Sequence, residues 1–240
     1  MATPARLPSE ASIGSPLAKG IDTTRLSSGD QAALYIRRLI FDGDLRPGTR
    51  VPQDEIAHTL GVSRIPVREA LIALEREGWV TIELHRGAFI NALDADTVRD
   101  HYELYGLVFG LAARRALARS VSTDLLDRLE DLADALQGTT AAGEVTQLTV
   151  RFHRTVADAA RSSRIKVVIR AMSALVPGDF FSLVPDAIDI ERQGLQAIAQ
   201  AMREGDGERA AGGYADMMRN VGEKVVALFE DRRLFDRPAG

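Results

Sequence analysis

The tightest constraint on this chain is a three-residue break between two helical stretches. Ile56 and Leu60 share one face of the first stretch, about Gln53–Leu60. Val67, Ala70, Leu71 and Leu74 fall at i, i+3, i+4 and i+7 of the second, the spacing of a buried helix face. Only Gly61-Val62-Ser63 separates them. Gly61 suits the left-handed position that ends a helix. Ser63 suits the N-cap that starts the next, which runs to about Glu77. Pro66 falls in the first turn, where backbone N–H groups have no intrahelical partner. Neither short helix can bury its apolar face alone, so both must pack on further elements.

The flanks supply those elements. Upstream, Ala33, Ile36 and Ile40 recur at helical spacing, with Arg37 and Arg38 off the stripe and Gly43 closing the helix. Leu45-Arg46-Pro47-Gly48-Thr49 reads as a turn, because Pro-Gly fits the central positions of type II. After Gly78 and Trp79, Val80, Ile82 and Leu84 alternate with Thr81 and Glu83, the period of a strand with one buried face. His85-Arg86-Gly87 reads as a tight turn and Ala88-Phe89-Ile90 as the returning strand. Three helices and a β-hairpin predict a winged helix-turn-helix over residues 29–92. Residues 1–28 carry Ala, Pro, Ser, Thr and Gly without a period and predict a flexible N-terminal tail.

From Asp94 onward the periods are helical throughout. Leu125, Leu129, Leu132 and Leu136 form one stripe; Leu148, Phe152, Val156 and Ala159 a second; Ile188, Leu195, Ile198 and Met202 a third. Breaks near Ser120–Thr123, Gly138–Gly143, Ser162–Ser163, Pro177-Gly178, Pro185 and Gly205–Gly207 divide the segment into five or six helices of about 12–26 residues. The predicted fold is mainly α: an N-terminal winged helix-turn-helix followed by an all-α helical bundle over residues 93–235.

Composition narrows the function classes. A chain of 240 residues with 45% hydrophobic residues can bury a core and makes one or two domains. The absence of cysteine excludes disulfides, a thiolate nucleophile and cysteine-ligated metals. No apolar run reaches the ~18 residues of a membrane span, and no apolar core of signal-peptide length follows Arg6. A cytoplasmic location without membrane contact is expected. HExxH, GxSxG and a phosphate-cradling glycine loop are all missing, which speaks against an enzyme. The formal net charge of −4 does not announce a nucleic-acid partner, so any such partner must be recognised by local geometry.

That geometry lies in the third helix. Arg64 and Arg68 are four apart, hence neighbours on a face other than the buried one, near the helix start. Arginine can bond guanine O6 and N7 together, and such a contact contributes ~1–3 kcal/mol of discrimination. Ser63 can offer its hydroxyl or backbone N–H to a phosphate. His85, Arg86 and Gly87 place cations at the wing tip, and Arg37 and Arg50, with Arg38 and Arg46, stand available for phosphates. Acidic residues in the same segment are about as numerous, so affinity must come from a one-sided distribution of charge and from dimerisation.

The run Ile40-Phe41-Asp42-Gly43-Asp44-Leu45-Arg46-Pro47-Gly48-Thr49-Arg50-Val51 resembles the opening of the GntR family of bacterial transcription regulators. Leu60-Gly61-Val62-Ser63-Arg64-Ile65-Pro66-Val67-Arg68-Glu69-Ala70-Leu71 resembles the centre of its DNA-binding motif. Leu74 to Val80 and Arg86-Gly87-Ala88-Phe89-Ile90 continue the likeness through the wing. The resemblance implies a helix-turn-helix from about Gln53 to Ile72, with DNA contacts from Arg64, Arg68 and the wing tip. Many relatives carry a further polar or basic contact early in the second helix, where this chain has Asp54.

The helical segment is similar to the FadR-type effector domain of that family, called FCD, through Tyr102-Glu103-Leu104, Arg151-Phe152-His153 with Ala157, Ala197-Ile198 and Glu204-Gly205-Asp206. Many such domains hold a divalent metal on three histidines and an aspartate. The matching positions here are Thr149, His153, Leu195 and Met217, or Asn220 with a small shift. Of the four histidines, His58 and His85 lie in the DNA-binding segment, so besides His101 only His153 remains. One imidazole cannot make a tight divalent site, so the metal site is expected to be lost and no cofactor is expected. The family's arginine after Tyr-Glu-Leu is Tyr105 here, and its following acidic residue is near Phe109. These changes imply an effector cavity walled by Tyr102, Tyr105, Thr149, His153, Leu195 and Asn220, for an effector that is apolar or carboxylate-bearing. The function so implied is a sequence-specific regulator, a repressor, binding a near-palindromic double-stranded operator as a homodimer under effector control. The alternative is a constitutive DNA-binding protein whose helical domain only dimerises.

Overall fold

The computed structural model describes residues 27–172 and 180–235. The tail expected over residues 1–28 lies, as far as residue 26, outside the described residues, and so does the break expected at Pro177-Gly178. The chain divides into two compact units, one of residues 27–95 with 229–235 and one of Asp96–Leu228.

The first unit holds α1 (Ser28–Phe41), α2 (Gln53–Leu60), α3 (Arg64–Arg76), β1 (Val80–Glu83) and β2 (Gly87–Ile90). Ser27 and Ser28 open α1 rather than ending a tail. The Ser27 hydroxyl accepts from the Asp30 N–H at 3.1 Å, and the Asp30 carboxylate accepts from the Ser27 N–H at 3.3 Å. Gly61 ends α2 at φ +64°, a conformation that lets the chain reverse within three residues. The expected buried faces are buried: Ile36, Ile56, Val67 and Leu74 are fully enclosed, with Ala70 and Leu71 beside them. The wing is an antiparallel pair in the register Val80↔Ile90 to Glu83↔Gly87. Its connection is Leu84–Arg86, with Gly87 already in β2.

Three sequence expectations need correction in this unit. Residues 48–51 do more than turn. Gly48 N–H donates to Ile90 O at 2.8 Å, Ile90 N–H to Thr49 O at 3.0 Å and Val51 N–H to Ala88 O at 2.8 Å, so they line the free edge of β2. A segment this short shows no period. Val80 is buried, but Ile82 and Leu84 are not, and Leu84 is 82% exposed at the wing tip. The wing has no layer to cover its far end. Third, residues 229–235, expected in the helical domain, pack with the first unit. The Phe229 ring meets Phe41 edge-on at 5.6 Å, and Arg232 lies 4.5 Å over the Phe41 ring while donating to Asp42 at 3.1 Å.

The second unit is built from α4 (Ala95–Leu117), α5 (Thr123–Gln137), α6 (Ala142–Ala159), α7 (Ser163–Met172), α8 (Phe180–Leu183), α9 (Ala187–Arg203) and α10 (Gly207–Asp231). Seven helices are described where five or six were expected. Two of the seven, α7 of 10 residues and α8 of 4, are shorter than the expected helices. α4 and α10 run antiparallel, since Arg99 pairs with Glu223 at 2.8 Å and Arg114 with Glu208 at 3.0 Å. Small residues let them approach. A Cβ on Gly106 would sit 3.0 Å from Ala215 Cα and Tyr214 O, and one on Gly110 3.0 Å from Ala211 Cβ. α5 packs on α6 and α9 through Leu129, Leu132 and Leu136, all buried. Among the described residues this unit contains no strand, and no described helix is long and apolar enough to cross a membrane.

Candidate nucleic-acid interface and helical interior

In the first unit, a groove of about 790 Å³ is bounded by the start of α2, the outward face of α3 and the wing. Arg50, Arg64, Arg68 and His85 line it, but so do Asp54, Glu55 and Glu83. The charge is therefore mixed rather than one-sided, and individual pairings decide which cations are free. Arg64 is held by the Asp54 carboxylate, with both side chains about two-thirds exposed. Arg86 is held by Glu83 and lies 5.4 Å from the Phe89 ring centroid. Arg68 and Arg50 are exposed and make no ion pair among the described residues.

Backbone geometry aims these groups. Ser63 is the N-cap of α3, yet its hydroxyl makes no capping hydrogen bond. That leaves the hydroxyl able to donate to an external acceptor, next to helix N–H groups that favour an anion. His85 sits in the left-handed region at φ +60°, a strained position for a residue with a Cβ. Gly87 makes room for a neighbour: a Cβ there would lie 2.7 Å from Arg50 Nε, where the Arg50 guanidinium sits. Arg37 is withdrawn from the expected set. Its side chain is 9% exposed and donates to Glu77 at 2.5 Å, which ties α1 to the end of α3. An arginine used this way cannot reach a phosphate.

In the second unit, four helices bring together a polar cluster inside an aromatic wall. α4 contributes Tyr102, Tyr105 and Phe109; α6 contributes Thr149 and His153; α9 contributes Glu191; α10 contributes Tyr214. Phe109 stacks on Tyr214 at 5.2 Å, and Tyr105 meets Phe109 edge-on at 4.9 Å. His153 Nδ1 is 3.5 Å from Tyr214 Oη, and His153 Nε2 is 3.8 Å from Glu191 Oε2. Burial drives both partners neutral: it pushes Glu191 up to about 8 and His153 down to about 4. Near neutral pH the two therefore face each other largely uncharged rather than as an ion pair. Burial also raises Tyr102, Tyr105 and Tyr214, with the Glu191 charge adding to each.

Glu191 was not among the expected site residues. It sits seven-residue-stripe style between Ile188 and Leu195, at a position a helix buries, and is only 4% exposed. A carboxylate interrupting an apolar stripe was the available signal. Two expected residues do not join the cluster as polar groups. Leu195 is buried as core, and Asn220 is exposed on α10. The family's metal positions thus hold Thr149, His153, Leu195 and Met217, of which one is an imidazole and two are buried and apolar. These residues do not fit a divalent cation, and no group of three His, Cys, Asp or Glu that could hold one occurs among the described residues.

A winged helix-turn-helix presenting arginines from its third helix, carried with an all-helical unit, defines a DNA-binding transcriptional regulator. The comparisons agree. Residues 28–90 match the model for bacterial regulatory proteins of the gntR family, and residues 100–220 match the FCD domain. An HTH-type transcriptional regulator of Mycobacterium tuberculosis, itself uncharacterized, is 32% identical over 211 residues, covering 88% of this chain and 86% of its own. The Nta operon transcriptional regulator of Aminobacter aminovorans is 33% identical over 129 residues, covering 53% of this chain and 61% of its own. Among solved structures, E. coli McbR/YncC superposes with a TM-score of 0.62 at 15% identity, covering 86% of this chain and 99% of that one. A GntR family member from Pseudomonas syringae superposes with a TM-score of 0.52 at 22% identity, covering 86% and 87%. This chain belongs to the GntR family, in the FadR-type branch that carries an FCD domain. It is a transcriptional regulator and not an enzyme.

Proposed function

We propose that the protein is a cytoplasmic repressor that binds a near-palindromic operator as a homodimer and releases it in response to a small effector. The observation that carries the DNA-binding part is Arg68: exposed, free of any ion pair among the described residues, and lining a groove between the start of α2 and the wing. Dimerisation is supported by Leu104, Leu107 and Leu111, an exposed apolar stripe at i, i+3 and i+7 along α4. Effector control is supported by the polar cluster around His153 and Glu191, buried side chains whose hydrogen-bonding capacity the protein leaves partly unused. We infer also that the helical unit works without a resident divalent metal, since its side chains at the family's ligand positions do not fit one. An effector that prefers one arrangement of the helical unit would change operator affinity by its differential binding energy.

The test is selection of bound sequences from a random DNA pool with purified full-length protein and metal chelated. Enrichment of a short near-palindrome supports a dimeric, metal-independent regulator. Enrichment only after metal is restored would overturn the metal-free reading, and a folded protein that enriches nothing in either condition would overturn the operator reading. The second reading, a constitutive DNA-binding protein, is favoured by the close stacking of Phe109 on Tyr214. Ligand-dependent thermal stabilisation separates the two, because binding to the native state adds RT ln(1 + [L]/Kd) to stability.

A further inference from the structure

Among the described residues the buried polar side chains are Arg37, Thr149 and Glu191. Arg37 has its charge met by Glu77 through Nη2, although its Nε has no partner. The other two have no such answer: Thr149 Oγ1 and Glu191 Oε2 are buried without a hydrogen-bond partner. Both belong to the helical unit, and Thr149 lies one turn from His153 on the same face of α6. A buried carboxylate without a cation is costly, and ordinary folds supply one. Here the nearest candidate is turned away. Arg192, the next residue on α9, donates to Leu136 O at 3.1 Å, to Thr139 O at 2.5 Å and to Asp189 at 2.9 Å. His153 stands closest, but its ring is neutral near pH 7. Tyr102, Tyr105 and Tyr214 lie near enough to interact with a Glu191 charge, and Phe109 packs on His153 and Tyr214; such ring faces carry negative electrostatic potential.

Glu191 holds its proton near neutral pH, so a cation that reaches it displaces that proton; the carboxylate so formed, the Thr149 hydroxyl and the aromatic faces then complement a cation and disfavour an anion. We propose that the interior of the helical unit takes a small organic cation, a protonated amine whose ammonium sits against Glu191 and Thr149 and whose carbon skeleton lies among Tyr102, Tyr105 and Tyr214. This rests on the effector reading above and names its chemistry, replacing the apolar or carboxylate-bearing effector that the sequence implies. The ammonium N–H groups satisfy the two orphaned oxygens, and the charge meets the carboxylate in a setting where ring faces strengthen the attraction.

The experiment uses the full chain, thermal denaturation and calorimetric titration. The probes are butylammonium and benzylammonium chloride, each compared with the matching alcohol and the matching carboxylate, butyrate or benzoate, at equal ionic strength. The expected result is a saturable rise in Tm with an ammonium probe and none with its alcohol or carboxylate. Glu191→Gln should raise the Kd for that probe at least tenfold while the near-UV circular dichroism stays unchanged. Thr149→Val is the second variant and should weaken the same probe by a smaller factor. No Tm response to either ammonium ion, an equal response in wild type and Glu191→Gln, or stabilisation by benzoate or butyrate instead would each overturn the proposal. Stabilisation by zinc ions alone would overturn it too. Operator binding keeps the two readings apart. An ammonium ion that binds through Glu191 without changing operator affinity upholds the site and refutes the effector role. A carboxylate that releases the operator, with no ammonium binding, does the reverse.

Discussion

Asp54→Asn should tighten DNA binding, and the structure sets the size of the effect. Asp54 pairs with Arg64 in the groove between α2, α3 and the wing, and the two side chains are 64% and 68% exposed. An exposed pair of this kind contributes ~0.2–1 kcal/mol, which Arg64 must give up before it can engage a base or phosphate. Releasing it corresponds to an affinity gain of roughly 1.5- to fivefold for each half-site, since ~1.4 kcal/mol is tenfold. Removing the carboxylate also leaves one more uncompensated cation per protomer, so log K against log salt should steepen by up to ~0.9 per protomer. The assay is fluorescence anisotropy on the selected operator between 50 and 200 mM salt (roughly the range over which phosphate contacts dominate). Arg64→Ala and the double variant complete a cycle. If Asp54 acts through Arg64, the gain disappears in the Arg64→Ala background. A loss of affinity on Asp54→Asn would show that Asp54 holds Arg64 in its working orientation or contacts DNA itself. A gain that survives intact without Arg64 would show general charge repulsion and refute the pairing argument.

Other variants test the remaining assignments. Arg68→Ala should cost ~1–3 kcal/mol on the selected operator and relax preference at one base position, whereas Arg86→Ala should weaken all sequences alike, as competition binding with mutated operators would show. Burial raises Glu191 to about 8 from its usual 4.5, so between those values the folded state keeps a proton that the unfolded state releases, and stability falls as pH rises. His153, lowered to about 4, costs stability in the other direction, as pH falls from 6.5. Glu191→Gln removes only the first slope, so its Tm relative to the parent should climb between about pH 6 and pH 8, and a constant difference would contradict a protonated Glu191. Gly106→Ala should destabilise in urea denaturation, because a Cβ 3.0 Å from the backbone of α10 adds ~1–3 kcal/mol of overpacking against a helix-propensity gain of ~1 kcal/mol. Gly212→Ala, with nothing within 4 Å, should stabilise by about that gain, and equal effects of the two would refute close approach of α4 and α10. Leu107→Asp should convert a dimer into a monomer in sedimentation velocity, and an unchanged mass would move the interface elsewhere.

The first unit was legible because its signals are local. The Gly61-Val62-Ser63 break, the Pro47-Gly48 turn and the 67–70–71–74 face each determine conformation within a few residues, and all three stand in the structure. What failed there depended on distant partners. Alternation at Val80, Ile82 and Leu84 is a statement about a covering layer, and the wing tip has none. Arg37 looked exposed because it is charged, yet it sits three residues before Ile40 and four after Ala33, inside the buried arc of α1. Its partner Glu77 is forty residues away, beyond any local pattern.

Glu191 repeats the position of Arg37 in the pattern but not its outcome, and the difference separates architecture from function. Both interrupt an apolar helical stripe, Glu191 lying between Ile188 and Leu195, and both are enclosed when the helix packs. Arg37 finds the Glu77 carboxylate, so its charge is met and its burial fastens α1 to the end of α3, although its Nε is left without a partner. Glu191 finds a neutral imidazole at 3.8 Å and tyrosine rings, so its burial is a standing cost that packing alone would have removed by leucine. A fold that only had to dimerise would gain from that replacement, whereas one that must sense a ligand needs an interior group left unsatisfied until the ligand arrives. Two buried polar groups also lie about one turn away from the positions that the family resemblance marks, at Glu191 rather than Leu195 and at Tyr214 rather than Met217. A helix presents residues four apart on the same face, so a recognition group can move by one turn and still enter the same interior. The interior of the helical unit thus carries an imidazole at one position that the family resemblance marks, with a carboxyl group and a phenol beside, rather than at, the others.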